Sequence, residues 1–379
     1  MTRTGLAPQL NQQQSVPTLT LHPKDAQQLG IQEQDFVQIA PRYLGVASDE
    51  LPASSSVMAQ VAISDSMRVG DAFMPMHWSD AFAHLARVGS LIPTVVDPHS
   101  NQPELKNTAI RVIPMPMQSV GKVLVRPDWQ DAMVVQLRTL LAKFSVENAE
   151  MLENGQSGLP PFTWSLTRQQ GSVLFNIASP LATLHSAWLK PAFWQQLSDR
   201  LFNQPLIEGQ DTPQVSPLNP AENSAIETAF TTHTQHERLR FIALQKPLCI
   251  TPANDTQSED NAKDNREIDS DCSLERLMMA VYIAPSHEQL PSTHWLDSCF
   301  HDLSQVPSPK WLLAGRPASG YIDPGPLVCA CMSVGENIII NAITEQGCHS
   351  AKAVGEQCRA GTNCGSCVGQ INNLVAEYA

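Results

Sequence analysis

VCACMSVGENIIINAITEQGCHSAKAVGEQCRAGTNCGSCVGQ, residues Val328–Gln370, decides how the end of this chain folds and what it holds. Cys329 and Cys331 stand one residue apart, and Cys364 and Cys367 are two residues apart some thirty positions later. Thiolates at such short spacings converge on one point, which a metal ion or cluster rewards; the spacing alone leaves zinc and iron–sulfur both open. The intervening pieces are helical. Ser333 followed by Glu336 has the form of a capping box, and the apolar run Ile338–Ile343 follows directly. Gly347 ends that helix, Ser350 caps the next, and Gly361 ends it in turn. Gly365 and Ser366 lead into a last helix, so Cys367 lies near a helix N-terminus, where free N–H groups and the dipole favour anionic sulfur. Cys348 and Cys358 fall outside the spacing pattern and are expected to be small core residues.

On the C-x-C at Cys329 and Cys331, the helix Ile338–Ile343 and the AGTNCGSC of Ala360–Cys367, this segment resembles the BFD-like [2Fe-2S] domain. The resemblance implies a small helical unit in which Cys329, Cys331, Cys364 and Cys367 hold a [2Fe-2S] cluster.

Outside this stretch the chain offers bounds rather than motifs. Its 379 residues suit two or three domains. With 24 Lys and Arg against 37 Asp and Glu, the net charge is −13, which argues against a nucleic-acid partner. Nine cysteines are an odd number, paired in spacing only at the metal-like motif, so a disulfide framework is not expected and a reducing compartment fits best. The opening MTRTGLAPQLNQQQ has no apolar signal core, and no run of eighteen or so apolar residues occurs, so neither a signal peptide nor a membrane span is expected.

Toward the N-terminus the pattern is one of short strands. Thr18–Leu21, Asp35–Ala40 and Val57–Ile63 alternate, the last two as partners, and Asp71–Met76 follows as a further strand. A short helix from His22 ends at Leu29-Gly30, with Pro23 tolerated in its first turn. Short strands with one-turn helices suggest a compact β-barrel. HPKDAQQLGIQEQDFVQI, VGDAFMPMHWSDAF and VVDPHSNQPELKNTAIRV resemble the C-terminal barrel of molybdopterin-dependent oxidoreductases, and their order is similar to that of bacterial assimilatory nitrate reductases. The leading MTRTG matches too, and the resemblance resumes at LLAGRP and DPGPLVCAC. It implies a barrel that binds molybdopterin guanine dinucleotide. Carried over to this chain, Thr2, Arg3, Thr4, Gly5, His77 and Lys106 are its cofactor-binding candidates. Hydroxyls and a guanidinium donate to phosphate or pterin edges, and Gly5 permits close backbone approach. His77 and Trp78 are expected at a strand end facing the pterin. Three departures stand out. Gln34 occupies a turn position where the family often has Gly, Val88–Pro93 carries no amide, and the loop Tyr43–Ser56 is long. The family's catalytic residues and [4Fe-4S] cysteines would precede MTRTG, so Met1 is expected to be internal to a longer protein or the start of a truncated product.

The middle is read from periodicity alone. Pro127–Phe144 is an amphipathic helix, Ser165–Leu174 a strand pair, Trp194–Leu201 a helix, and Arg238–Leu244 and Leu277–Ile283 are strands. Trp295–Leu303 and Trp311–Leu313 lead toward the cysteine-rich end. Gln204–Asn223 has linker composition, and Thr251–Ser270 is too acidic and apolar-poor to order itself. His233 and His236 lack companion ligands.

The expected architecture is α+β, mostly β: a dinucleotide-binding β-barrel at 1–118, a mixed α/β spacer at 119–320 and a small helical [2Fe-2S] domain at 326–379. The resemblances together imply a part of a cytoplasmic, molybdenum-dependent assimilatory nitrate reductase, an oxidoreductase that takes electrons from a flavoprotein or ferredoxin-type donor. No catalytic residue is assigned to this chain, and by itself it is expected to lack nitrate reduction without an N-terminal catalytic portion. The alternative is a stand-alone [2Fe-2S] electron-transfer module.

Overall fold

The computed structural model describes residues 14–42, 56–93, 95–102, 107–149, 161–203, 226–233, 237–245, 276–301, 309–317, 321 and 323–379. Two sheets and a small helical unit follow one another along the chain, a mixed α/β arrangement.

The first sheet has five strands: β1 (Thr18–Leu21), β2 (Phe36–Pro41), β3 (Val57–Ile63), β4 (Ala72–Phe73) and β5 (Ile110–Pro114), in the order β4-β1-β3-β2-β5. β1 and β3 run parallel and the other pairs antiparallel. Between β1 and β2 lies helix α1 (Pro23–Leu29), which begins where the His22 side chain accepts from the Lys24 N–H. It stops at Gly30, whose φ of 68° is open to glycine at no steric cost. Leu19, Leu21, Val37, Ile39, Val57, Ala59 and Val61 form the core on one side. Gln34 does take a positive φ, 68°, in the turn before β2. β4 is shorter than expected: only two residues of Asp71–Met76 pair, because Pro75 has no N–H to give a ladder. The loop 43–55 lies outside the described residues.

The second sheet has six antiparallel strands: β6 (Ser119–Val125), β7 (Thr163–Arg168), β8 (Val173–Ser179), β9 (Ile226–His233), β10 (Arg238–Gln245) and β11 (Arg276–Ala284), in the order β7-β8-β6-β11-β10-β9. Its central strands are apolar on both faces because both are covered. Val123, Val125, Phe175, Phe241, Met279 and Val281 face helices α2 (Gln130–Ala149), α3 (Ala182–Trp188) and α4 (Pro191–Asn203), which contribute Met133, Leu137, Trp188, Trp194 and Leu201. Leu124, Ile242, Ala280 and Tyr282 face α5 (Thr293–His301) and α6 (Pro309–Ala314), which contribute Trp295, Leu296, Phe300 and Leu312. A fully buried side chain of this kind is worth about 1.5–3 kcal/mol, so this sheet is the main store of apolar burial. The linker Gln204–Asn223 and the acidic segment Thr251–Ser270 lie outside the described residues.

Each sheet is met by segments that flank the other. Ser15 O accepts from Thr167 Oγ1 at 3.0 Å, Ala83 bridges Ser165, and Gln60 Nε2 lies 2.9 Å from His287 Nε2 while Phe36 stacks on the His287 ring. No described helix is long and apolar enough to cross a membrane.

Candidate metal centre and cofactor surface

The cysteine-rich end folds around its own core of Val328, Val334, Ile339, Ala342, Ile343, Val354, Ile371 and Leu374. A two-strand ribbon, β12 (Leu327–Cys329) with β13 (Val334–Gly335), precedes helices α7 (Glu336–Thr344), α8 (Ala351–Cys358) and α9 (Val368–Tyr378). The capping box expected at Ser333 and Glu336 does not form. Ser333 sits at φ 53°, outside the extended region an N-cap needs, and Gly335 takes the cap position with no side-chain bond. The first N–H groups of α7 go instead to the incoming chain: Glu336 N donates to Pro326 O at 2.8 Å and Asn337 N to Pro324 O at 3.0 Å. Asn337 Nδ2 adds a bond to Asp323 O at 3.1 Å. Ser350 caps α8 as expected, accepting from Ala353 N. Its left-handed C-cap is Arg359 at φ 68°, two residues before Gly361 at φ 79°.

The four motif cysteines meet. Cys331 Sγ lies 3.5 Å from Cys364 Sγ and 3.8 Å from Cys329 Sγ, and the free thiol of Cys329 in turn shares a hydrogen bond with that of Cys367. These separations bring neighbouring sulfurs within van der Waals reach of one another. Cys329 and Cys367 are buried, Cys331 and Cys364 exposed. Cys367 stands at the N-cap of α9, as its spacing implies. Backbone N–H groups point at the sulfurs: burial pushes the Cys329 thiol up, but donors from Gly361 and Met332, with the neighbouring thiols, outweigh it and leave it low. Ser366, through its hydroxyl at 3.1 Å and its backbone, draws Cys364 down to about 7. Burial, then Cys329, pushes Cys367 up to about 11. Four thiols, two already biased to thiolate and served by N–H and O–H donors, fit a cluster with thiolate ligands. Among the described residues no group of three or more His, Cys, Asp or Glu is closed tightly enough to hold a single metal ion; the four sulfurs instead follow one another from Cys364 to Cys331, Cys329 and Cys367. Cys348 and Cys358 belong to the core, the latter with its Sγ on Val354 O at 3.2 Å. Ser366, Gly361 and Met332 were not singled out by the motif. Ser366 had a legible signal, a hydroxyl two residues from a ligand; the backbone donors had none.

At the other end, Thr2, Arg3, Thr4, Gly5 and Lys106 lie outside the described residues. His77 is described: it is exposed in the turn after β4 rather than at a strand end. The neighbouring Trp78 is 2% exposed, packed on Ala83 and Ala86, and so faces the core, not an open surface. Phe73 and Met76, both more than half exposed, flank this turn. The His77 ring and its exposed apolar neighbours thus lie open at the surface.

Comparison with known proteins agrees with both ends. Residues 1–109 match the Molydopterin dinucleotide binding domain family, and residues 327–377 match the BFD-like [2Fe-2S] binding domain. Over 99% of its length the chain is 24% identical to a nitrate reductase of Klebsiella oxytoca, of which it spans 32%. Over 55 residues, 14% of the chain, it is 36% identical to the nitrogen fixation protein NifU of Trichormus azollae, covering 18% of that protein. The chain spans about a third of the nitrate reductase it matches. It thus joins a Molydopterin dinucleotide binding domain to a BFD-like [2Fe-2S] binding domain.

Proposed function

We propose that this chain supplies one wall of the molybdopterin guanine dinucleotide site and the electron-entry relay of a molybdenum-dependent assimilatory nitrate reductase, working in the cytoplasm. The observation that carries this reading is the junction of the two modules on one chain, in an order similar to a nitrate reductase over 99% of its length. The first sheet is the barrel wall in this reading, and Thr2, Arg3, Thr4, Gly5, His77 and Lys106 are its candidates for binding the dinucleotide. When bound, the [2Fe-2S] group supplies one-electron transfer and the molybdenum cofactor the two-electron reduction of nitrate to nitrite. The protein's own part is to hold and orient. Cys329, Cys331, Cys364 and Cys367 bind the cluster; Ser366 and the Gly361 N–H stabilise its thiolates. The exposed Cys331–Cys364 side is where a flavoprotein or ferredoxin-type donor approaches. One observation favours the second reading, a stand-alone electron-transfer module: the helical end has its own core.

The test is an in-frame removal of Pro326–Ala379 from the gene in its host, followed by two assays on one purified preparation. The relay reading expects nitrate reduction driven by the physiological donor to vanish while dye-driven reduction and molybdenum content persist. Donor-driven activity that survives the removal would end the relay reading. A purified chain that is colourless and holds one zinc would end the cluster reading.

A further inference from the structure

Resting on the dinucleotide reading above, we propose that β7, the outer strand of the second sheet, is the template that sets the shape of the surface around His77. Thr163 and Thr167 on that strand are then positioning residues for the nucleotide bound there.

β7 ends the strand order of its sheet, so its outer edge offers backbone groups that need partners. The segment after the His77 turn supplies them as an added strand. His84 N donates to Trp164 O and Leu166 N to Phe82 O, each at 2.8 Å, on either side of the antiparallel bridge between Ala83 and Ser165. The buried Thr163 hydroxyl adds a bond to His84 O at 3.0 Å. One residue later the chain turns to the other sheet. Leu85 lies at φ 55°, and its carbonyl accepts from Met58 N of β3 at 2.6 Å. A left-handed leucine is costly and persists only where its surroundings fix it. Consecutive residues thus join the two sheets, and the strain sits at the joint. The joint reaches His77 through its neighbour, because Trp78 packs on Ala83 and Ala86 of the added segment. Arg138 of α2 holds the same turn by donating to Asp80 O at 2.9 Å. The segment leading into β1 is tied to β7 as well. Thr167 Oγ1 donates to Ser15 O at 3.0 Å and Asn176 Nδ2 of β8 at 3.3 Å, while Pro17 O accepts from Gln60 N of β3 at 2.8 Å. Hydrogen bonds fix one register, where non-directional apolar contact alone would let these segments slide.

The experiment uses the full chain with Thr163→Val and Thr167→Val together, which keep side-chain shape and remove only the two hydroxyl donors. Amide exchange is followed over residues 79–86 and, for comparison, over β8 and β11. Guanosine diphosphate, the soluble nucleotide half of the proposed ligand, is titrated by calorimetry. Exchange over residues 79–86 should rise about tenfold while β8 and β11 stay within about twofold of the unaltered chain, and nucleotide affinity should fall at least about threefold. Serine at both positions restores a hydroxyl and should bring back both readings. Unchanged exchange over residues 79–86, an equal rise in β8 and β11, or unaltered nucleotide affinity in the valine variant overturns the proposal. Absence of nucleotide binding by the unaltered chain would instead sink the dinucleotide reading, and the exchange pattern then decides the anchoring by itself. Should the valine variant fail to fold, Arg138→Ala decides. It lies at the surface, removes the bond to Asp80 O, and should speed exchange over residues 79–86 about threefold; an unchanged rate there overturns the proposal.

Discussion

Replacing Gly335 by alanine should open the cysteine-rich unit at the point where the incoming chain is stitched to it. An added Cβ there would sit 2.0 Å from Pro324 O, 2.6 Å from Pro324 C and 3.0 Å from Gly325 O, all backbone atoms that cannot rotate away. The segment Pro324–Gly325 must therefore leave, and with it the bonds Asn337 N to Pro324 O and Glu336 N to Pro326 O, and the Asn337 side-chain bond to Asp323 O. Losing two to three such bonds at a helix start costs about 2–4 kcal/mol. A unit of this size holds only about 3–8 kcal/mol at typical stability per residue, so its open form should grow by roughly thirty- to several-hundred-fold. Gly335 also pairs with Leu327 in the ribbon that carries Cys329, so opening loosens one of the four motif cysteines as well. The assay is amide exchange over Leu327–Cys329 and Glu336–Thr344, with the rate of iron loss to a chelator beside it. Gly369→Ala in α9 is the control, because nothing lies within 4 Å of its added Cβ. If Gly335→Ala kept its protection, and lost iron within twofold of the unaltered rate, the stitching argument would be refuted.

Three further outcomes are expected. His287, held down to about 4 by burial and then by the Lys122 ammonium, must stay neutral where Gln60 donates to it. Its folded pKa lies below its unfolded one, so the unfolded chain binds more protons and stability falls as pH drops from about 6.5 to about 4, by at most about 3 kcal/mol. Thermal unfolding at pH 7 and pH 5 should show a smaller acid loss in His287→Gln. Gln34→Gly, which relieves φ 68°, should raise stability by about 1 kcal/mol in denaturant titration. Asp297→Ala strips an acceptor from the Gln170 and Gly171 N–H groups and the Ser172 hydroxyl, and should cost about 2–4 kcal/mol by the same measurement.

Local structure was legible where a residue's neighbours in sequence are also its neighbours in space. β1, α1 with its Gly30 stop, the β7–β8 hairpin and the Ser350 cap all fall where alternation and capping rules put them. The misreadings arise where a residue outside the motif decides its fate. Ser-x-x-Glu at 333–336 has capping-box form, yet the helix takes its acceptors from Pro324 and Pro326, and Ser333 is left-handed. Trp78 beside His77 suggested a ring facing a ligand, but Ala83 and Ala86 draw it inward. The parallel pairing of β1 with β3 has no signal in either strand. The meeting of the four motif cysteines was legible because thiol spacing is local chemistry, whereas the difference between exposed and buried cysteines needs the packed helices.

The central pairing of the second sheet bears on which changes of length the chain can absorb. β6 and β11 are joined rung by rung from Val120–Ala284 to Val125–Met279, although residues 126–275 come between them in sequence. Those residues stay with the sheet: the β7–β8 pair extends it beyond β6 and the β10–β9 pair beyond β11. The chain thus grows outward on both sides of one rung that only its distant ends can make. An insertion between the strand pairs leaves that rung in place, whereas loss of a strand or of α2–α4 uncovers the apolar core packed on it.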